Sequence, residues 1–251
     1  MYHTTGLTRD SIENLCAAIH HQVGDSRRPW PPVLGLFTSL VVTLTYLRRN
    51  RVQAELAETF GVSQSTISRA ITAMTPLLGS VLADHIPTVD DVDDQRRHII
   101  DGTLLPCWSW ASQPGLHSRR HRRTGVNVQV ACTLDGRLEW VSEPFEGRRH
   151  DFHCLKQSGI LHGRDTTSWL ADKGYIGSDM LIPFRKPRKR EQPRWQKDYN
   201  FRHNKIRVAV ERAIAHLKTW RILHTDYRRP YNTFATTITA VIGLYFYARS
   251  E

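Results

Sequence analysis

The 251-residue sequence is poor in cysteine: Cys16, Cys107, Cys132 and Cys154 are scattered, with no C-x-x-C pair. That spacing excludes a zinc ribbon and a disulfide-stapled secreted scaffold, and it suits a reducing compartment. Long hydrophobic runs are missing as well. The longest, Val33–Leu47 and Thr233–Ala248, are sprinkled with threonine and fall short of the ~20 residues needed to span a bilayer. Buried core helices are expected there, in a cytoplasmic protein. Met1 is followed by polar residues, so no signal peptide is expected. There is no Walker loop and no G-x-G-x-x-G, which leaves nucleotide-triphosphate-driven chemistry without a motif. No internal repeat is visible.

Negative charge is the other scarce quantity. Asp and Glu number 24 against 35 Lys and Arg, a net charge of +11. Such an excess points to a polyanionic partner, because each phosphate neutralised by a cation releases a condensed counterion. Arginine outnumbers lysine 28 to 7, and arginine is the better bidentate phosphate ligand. Residues 1–84 hold 7 basic and 6 acidic side chains, whereas residues 85–251 hold 28 and 18. The second stretch therefore carries the field. The acidic connector Asp84–Asp94 is the expected boundary between a helical domain, 1–84, and a second domain, 95–251.

The first stretch reads as helices. Thr8 is a capping candidate for residues 8–22, with Ile12, Leu15, Cys16 and Ile19 on one stripe. A break at 24–32 and an apolar helix to about Leu47 follow. Residues 52–73 fit a helix-turn-helix, with Ala54, Leu56 and Ala57 at the crossing and Gly61 in the turn. Ser63 is the N-cap of the second helix, and Val62 and Ile67 bury it. The exposed face offers Gln64, Ser65, Thr66, Ser68, Arg69 and Thr72, short polar groups suited to base edges and phosphates. The plainer alternative is two packed helices with a glycine turn.

From Arg97 the period changes. Strands are expected at 98–105, 126–133, 138–143, 168–172 and 180–184, with helices at 150–158, 201–219 and 231–248. This mixture predicts an α/β or α+β layer architecture. Three acids interrupt apolar segments: Asp101 in H-I-I-D-G-T, Asp172 in W-L-A-D-K-G-Y, and Glu211 among Val208, Ile214 and Leu217. An acid there is costly unless paired or metal-bound. Arg207 and Lys218, four before and seven after Glu211, fall on its helix face. Metals on a scissile phosphate with cations along the flanking backbone suit phosphodiester chemistry.

The set D-G-T, G-R-R-H-D-F-H-C-L, L-A-D-K-G-Y-I-G and R-x-x-x-E-x-x-x-x-x-x-K resembles the DDE transposases of bacterial insertion sequences. The match is to the insertion-sequence-five type, related to the Harbinger-like DDE endonucleases, and covers about residues 45–250. The resemblance implies a ribonuclease-H-like catalytic domain in which Asp101, Asp172 and Glu211 bind two Mg²⁺ ions, with Mn²⁺ able to substitute. It also implies cleavage at element ends followed by strand transfer by the 3′-hydroxyl, and a homodimer or higher oligomer on terminal-repeat and target DNA. The family tyrosine three residues before Arg207 is Asn204 here. His150-Asp151 matches a recurrent family pair. It reads either as a helix N-cap or as part of the metal shell.

Two basic clusters flank the acid-bearing strands: Arg119, Arg120, Arg122 and Arg123, and then Lys186, Arg188, Lys189 and Arg190. Both suit DNA-backbone contact, although such runs are also ordinary solvated loops. Lys173 offers a phosphate contact or a salt bridge. Trp108 and Trp110 suit base stacking or core packing. Two rival readings stay open: a non-catalytic DNA-binding regulator or domesticated transposase, and a host nuclease of the same fold.

Overall fold

The computed structural model describes residues 2–24, 28–109, 112–188 and 190–250; Trp110 and Lys189 lie outside them. In chain order its helices are α1 (Tyr2–Thr5), α2 (Arg9–Val23), α3 (Gly35–Arg49), α4 (Gln53–Phe60), α5 (Gln64–Val81), α6 (Asp151–Gln157), α7 (Arg194–Leu217) and α8 (Phe234–Ser250). The strands are β1 (His98–Pro106), β2 (His117–Ser118), β3 (Arg123–Thr133), β4 (Leu138–Val141) and β5 (Phe145–Glu146). The chain divides into two compact units, Met1–Ile86 with Leu217–Glu251, and Pro87–His216. The last helix, expected in the domain 95–251, thus folds with the first stretch of the chain.

In the helical unit, local sequence signals act as read. The Thr8 hydroxyl accepts from the Ser11 N–H at 3.1 Å and caps α2, which buries Ile12, Leu15 and Ile19. Ser63 caps α5 by accepting from the Thr66 N–H at 3.3 Å, and Gly61 (φ 63°) takes the left-handed turn that joins α4 to α5. The crossing differs in detail. Leu56 and Ala57 are buried, but Ala54 is exposed and Val62 only half-buried, because α4 is a two-turn helix with a single inner edge. Helix α5 runs past residue 73 to Val81, through Pro76, because its buried row Ile67, Ala70, Ile71, Met74 and Leu78 continues to pack against α3 and α8. At that contact the backbones come close. A Cβ on Gly243 of α8 would stand 2.8 Å from Leu82 Cβ, so only glycine fits.

The second unit is a mixed layer. Strand β3 pairs antiparallel with β1, β2, β4 and β5, with Asp101 opposite Val130 and Gly102 opposite Gln129. Beyond β1, single parallel bridges join Ile99 to Leu170 and Leu170 to Leu181. The strands expected at 168–172 and 180–184 are reduced to these bridges. The bend that presents Asp172 follows at once, and pairing stops there. One sheet face buries Ile100, Ala131 and Trp140 with Leu155 of α6, Trp169 and Tyr175. The acidic connector is no loose linker. Val92 enters this core, and Arg164 bonds the Asp94 carboxylate and the Val89 carbonyl.

Candidate functional site

The period of a strand sends neighbouring residues to opposite faces, and the site uses both faces of β1. Asp101 points to the side of α7, where its Oδ2 accepts from Arg207 Nη2 at 2.9 Å and its Oδ1 from the Gly102 N–H at 3.0 Å. Both side chains of this pair are only 13% exposed. Burial pushes the Asp101 carboxyl above its usual range, Arg207 opposes this, and the neighbouring Asp172 charge adds to it. Asp172 caps the turn Lys173–Tyr175, accepting from the Gly174 N–H at 2.6 Å, while its Oδ2 accepts from Arg120 Nη2 at 3.0 Å. Asp101 and Asp172 therefore share one region, each bonded by an arginine.

On the opposite face of β1 the structure adds an acid. The residue before α6, His150, makes no side-chain capping bond. Asp151 instead buries its carboxylate under the sheet, where Oδ1 accepts from Asn127 Nδ2 at 2.7 Å and Oδ2 is bonded by Arg120 Nη1. One guanidinium thus bridges Asp151 and Asp172. The chain of bonds continues through Gln129 Nε2 to Asn127 Oδ1 (2.9 Å) and Tyr175 Oη–H to Gln129 Oε1 (2.6 Å). It closes a ring, since Tyr175 stands three residues after Asp172. Gly102 makes room for it: a Cβ there would lie 2.6 Å from Asp151 Oδ1 and 2.8 Å from Gln129 Nε2. The sequence signal for this network was the pair of amides in V-N-V-Q-V, two polar residues on one face of a strand.

Helix α7 contributes less than its sequence promised. Its buried row is His203, Val210, Ala213 and Leu217, and Glu211 is exposed, as is Val208. Glu211 is thus off the apolar side, about 100° around from Val210. It stands one turn beyond Arg207, with ~6 Å expected between their Cβ atoms, and is in no ion pair or hydrogen bond among the described residues. The helix ends at Leu217, so Lys218 lies in the following turn, within the helical unit. His203, which sequence reasoning passed over, donates from Nε2 to the Leu181 carbonyl at 3.0 Å and holds α7 to the bridged segment.

The cations fall into three groups. Arg119, Arg120, Arg148, Arg149 and Lys173 line a cleft of about 630 Å³ together with Asp151 and Asp172. Lys173 is exposed and forms no ion pair among the described residues. The loop 119–122 turns β2 into β3 with Arg122 left-handed (φ 50°), and Arg123 begins β3. Lys186, Arg188 and Arg190 are exposed on the loop before α7. On α5, Gln64, Ser65 and Arg69 are exposed and Ser68 half-buried; Thr66 is buried, its hydroxyl in contact with the Ser63 cap. Trp108 is exposed rather than packed in the core.

No three His, Cys, Asp or Glu side chains converge on one point among the described residues, because arginines stand between the acids. The donor chemistry nonetheless fits a hard divalent cation: carboxylate oxygens only, in a region whose acids are already balanced by positive charge. The three free buried thiols do not enter it. Cys132 is pushed up to about 12, chiefly by burial.

A profile of DDE superfamily endonucleases matches residues 100–245, and one for the helix-turn-helix of DDE superfamily endonucleases matches residues 32–84. A putative transposase for insertion sequence element IS112 from Streptomyces albus G is 29% identical, over 87% of this chain and 83% of its own length. A probable transposase for insertion sequence element IS702 from Microchaete diplosiphon is 23% identical, over 97% of this chain and 92% of its own length. No solved structure matches the chain.

Proposed function

The chain belongs to the DDE superfamily of endonucleases, and on that premise we propose that it is the transposase of an insertion sequence. In this reading it binds the element's terminal inverted repeats, hydrolyses a phosphodiester at each end, and joins the freed 3′-hydroxyl to target DNA. The observation that carries the reading is the meeting of Asp101 and Asp172 beside two arginines, with Glu211 one turn from Arg207. A β-sheet of five antiparallel strands with two parallel bridges beyond β1 supports a ribonuclease-H-like catalytic fold.

Asp101, Asp172 and Glu211, with Asp151 beside them, would hold divalent cations, Mg²⁺ or in its place Mn²⁺, which activate water and stabilise charge on the phosphorane when bound. Arg119, Arg148, Arg149 and Lys173 would grip the backbone in the cleft, and Lys186, Arg188 and Arg190 its flank. Arg120 and Arg207 orient the acids through the bonds described. The hydrogen-bonded ring through Tyr175, Gln129 and Asn127 keeps the Asp172 turn from drifting, which matters because small misplacements are costly to catalysis. The helices α4 and α5 would read sequence from Gln64, Ser65, Ser68 and Arg69. Association of copies on DNA and a cytoplasmic location complete the reading; no described helix is long and apolar enough to cross a membrane.

The test is incubation of DNA carrying the element's ends with Mg²⁺ and either wild type or Asp172→Asn. Wild type should nick the ends and transfer them, and the variant should do neither. Equal cleavage by both, or none by wild type, overturns the reading. Cleavage without joining would identify a nuclease.

A further inference from the structure

The helical unit has a charge problem as a DNA reader. Residues 53–81, the two helices and their turn, carry Glu55, Glu58 and Arg69, a net charge of −1. A polar stripe alone gives no counterion release with which to hold a duplex. The missing cations come from the far end of the chain.

Residues 225–229 cross this unit as a fixed strap. Asn50, left-handed at φ 49°, ends α3 and donates from Nδ2 to Thr225 Oγ1 at 2.6 Å and to the Asp226 carbonyl at 3.3 Å. Tyr227 is fully buried, stacked on Phe234 at 4.3 Å, with its hydroxyl bonded to Thr233 and Thr237. That anchor sets the two residues after it. Arg228 Nη2 donates to the Asn50 carbonyl at 2.9 Å, just before α4. Arg229 Nη2 donates to Thr72 Oγ1 at 2.7 Å, on the third turn of α5. At ~100° per residue, Thr72 lies on the same stripe as Ser65, Ser68 and Arg69.

The partners of these two arginines are neutral. Among the described residues neither Arg228 nor Arg229 is in an ion pair, in contrast to Arg120 and Arg207, which are balanced by carboxylates. Each is oriented by one terminal nitrogen, and its charge is left uncompensated. Arg228 is exposed and Arg229 half-buried. Two pre-positioned guanidinium groups beside a polar helix stripe match phosphates on either side of a groove.

We propose that the strap 225–229 completes the DNA-reading surface of the helical unit, with Arg228 and Arg229 contacting the phosphates of duplex DNA. The inference rests on the DNA-reading role given above to α4 and α5, and names the backbone contacts that role requires. With Asp226 counted, the strap adds a net +1 and brings the net −1 element to neutrality.

The test uses the full chain and two labelled probes, a duplex carrying the inverted repeat that borders its gene and a random-sequence duplex. Binding is measured across a salt series. Arg228→Gln and Arg229→Gln keep a hydrogen-bonding side chain and remove only the charge, so folding, checked by thermal unfolding, should hold. Each should lower the slope of log affinity against log salt by about 0.9, the value for one phosphate contact, and the double variant by twice that. Arg229→Lys should keep the wild-type slope. Arg9→Gln, at a surface arginine on α2 paired with Glu13, should change nothing. A double variant with the wild-type slope on both probes overturns the strap proposal while the DNA-reading role stands. A wild-type protein that binds neither duplex removes that role, and the strap with it.

Discussion

Asp151 shows how one residue can serve a site from an unexpected direction. It begins α6, where an acid ordinarily assists the helix N-terminus, yet its oxygens go to Asn127 and Arg120. Asp151→Asn would leave Arg120 with Asp172 alone and cut the ring that steadies the Asp172 turn. Loss of a buried, charge-assisted bond should cost about 1–3 kcal/mol of stability. The rate of end cleavage should fall on the order of 10²-fold, the scale of a misplaced reacting group. Gly102→Ala makes the sharper experiment because it deletes no acid. Its added methyl would meet Asp151 and Gln129 inside van der Waals contact, so the same rate defect should follow, with about 1–3 kcal/mol lost to overpacking. Single-turnover cleavage and denaturant unfolding check both. A Gly102→Ala enzyme as fast as wild type would mean that the ring does not position Asp172.

At the scale of elements, α7 is the part on which the site depends and the part least legible in advance. It presents His203, Arg207 and Glu211 on successive turns, docked by the first two onto Leu181 and Asp101. With Nε2–H on the Leu181 carbonyl, neutral His203 keeps a buried Nδ1 that makes no hydrogen bond among the described residues. Protonation would place an unsatisfied N–H there. Burial pushes His203 below its ordinary value and the Arg207 charge adds to this, against the bond to Leu181, the neighbouring Asn204 side chain and the Asp172 charge. Since the folded state binds this proton less readily than the unfolded chain, the stability it protects is present above about pH 6.5 and lost as pH falls below it. Urea unfolding of wild type should therefore weaken on going from pH 7.5 to 5.5, and less so for His203→Gln. Equal pH dependence in the two proteins would clear His203. The Asp101 and Asp172 positions were readable because a lone acid in an apolar run is conspicuous. Caps and turns were readable because Thr8, Ser63 and Gly61 act locally. The face of α7 was not: Val208 and Ile214 beside Glu211 imitate a buried stripe, and only docking on Asp101 and Leu181 decides which row turns inward. The amides Asn127 and Gln129 of β3 went unread, since alternation with valine is also the pattern of a wet face and here the polar face is buried beneath α6.

For the molecule as a whole, the consequence lies in how the chain returns on itself. The unit of Met1–Ile86 and Leu217–Glu251 holds 12 basic and 8 acidic residues, a net +4, and Pro87–His216 holds 23 and 16, a net +7. The helical unit is therefore not the nearly neutral module that residues 1–84 alone suggested, because the C-terminal segment, with 5 basic and 2 acidic residues, brings most of its net charge. Its core arrives the same way. Helix α5 buries Ile71, Met74 and Leu78 in a layer completed by α8, which meets Leu82 so closely that Gly243 is required. A fragment of residues 1–86 would expose that apolar row to water at about 25 cal/mol per Å², enough to remove the few kcal/mol by which a small domain is stable. It should show helix by circular dichroism but no cooperative unfolding, and it should bind the inverted-repeat duplex weakly. Adding the segment 217–251 as a separate chain should restore both a cooperative transition and the salt-dependent binding. If residues 1–86 instead unfold cooperatively at the full chain's midpoint, the helical unit stands without its C-terminal helix. The chain would then be two consecutive domains rather than one inserted into the other.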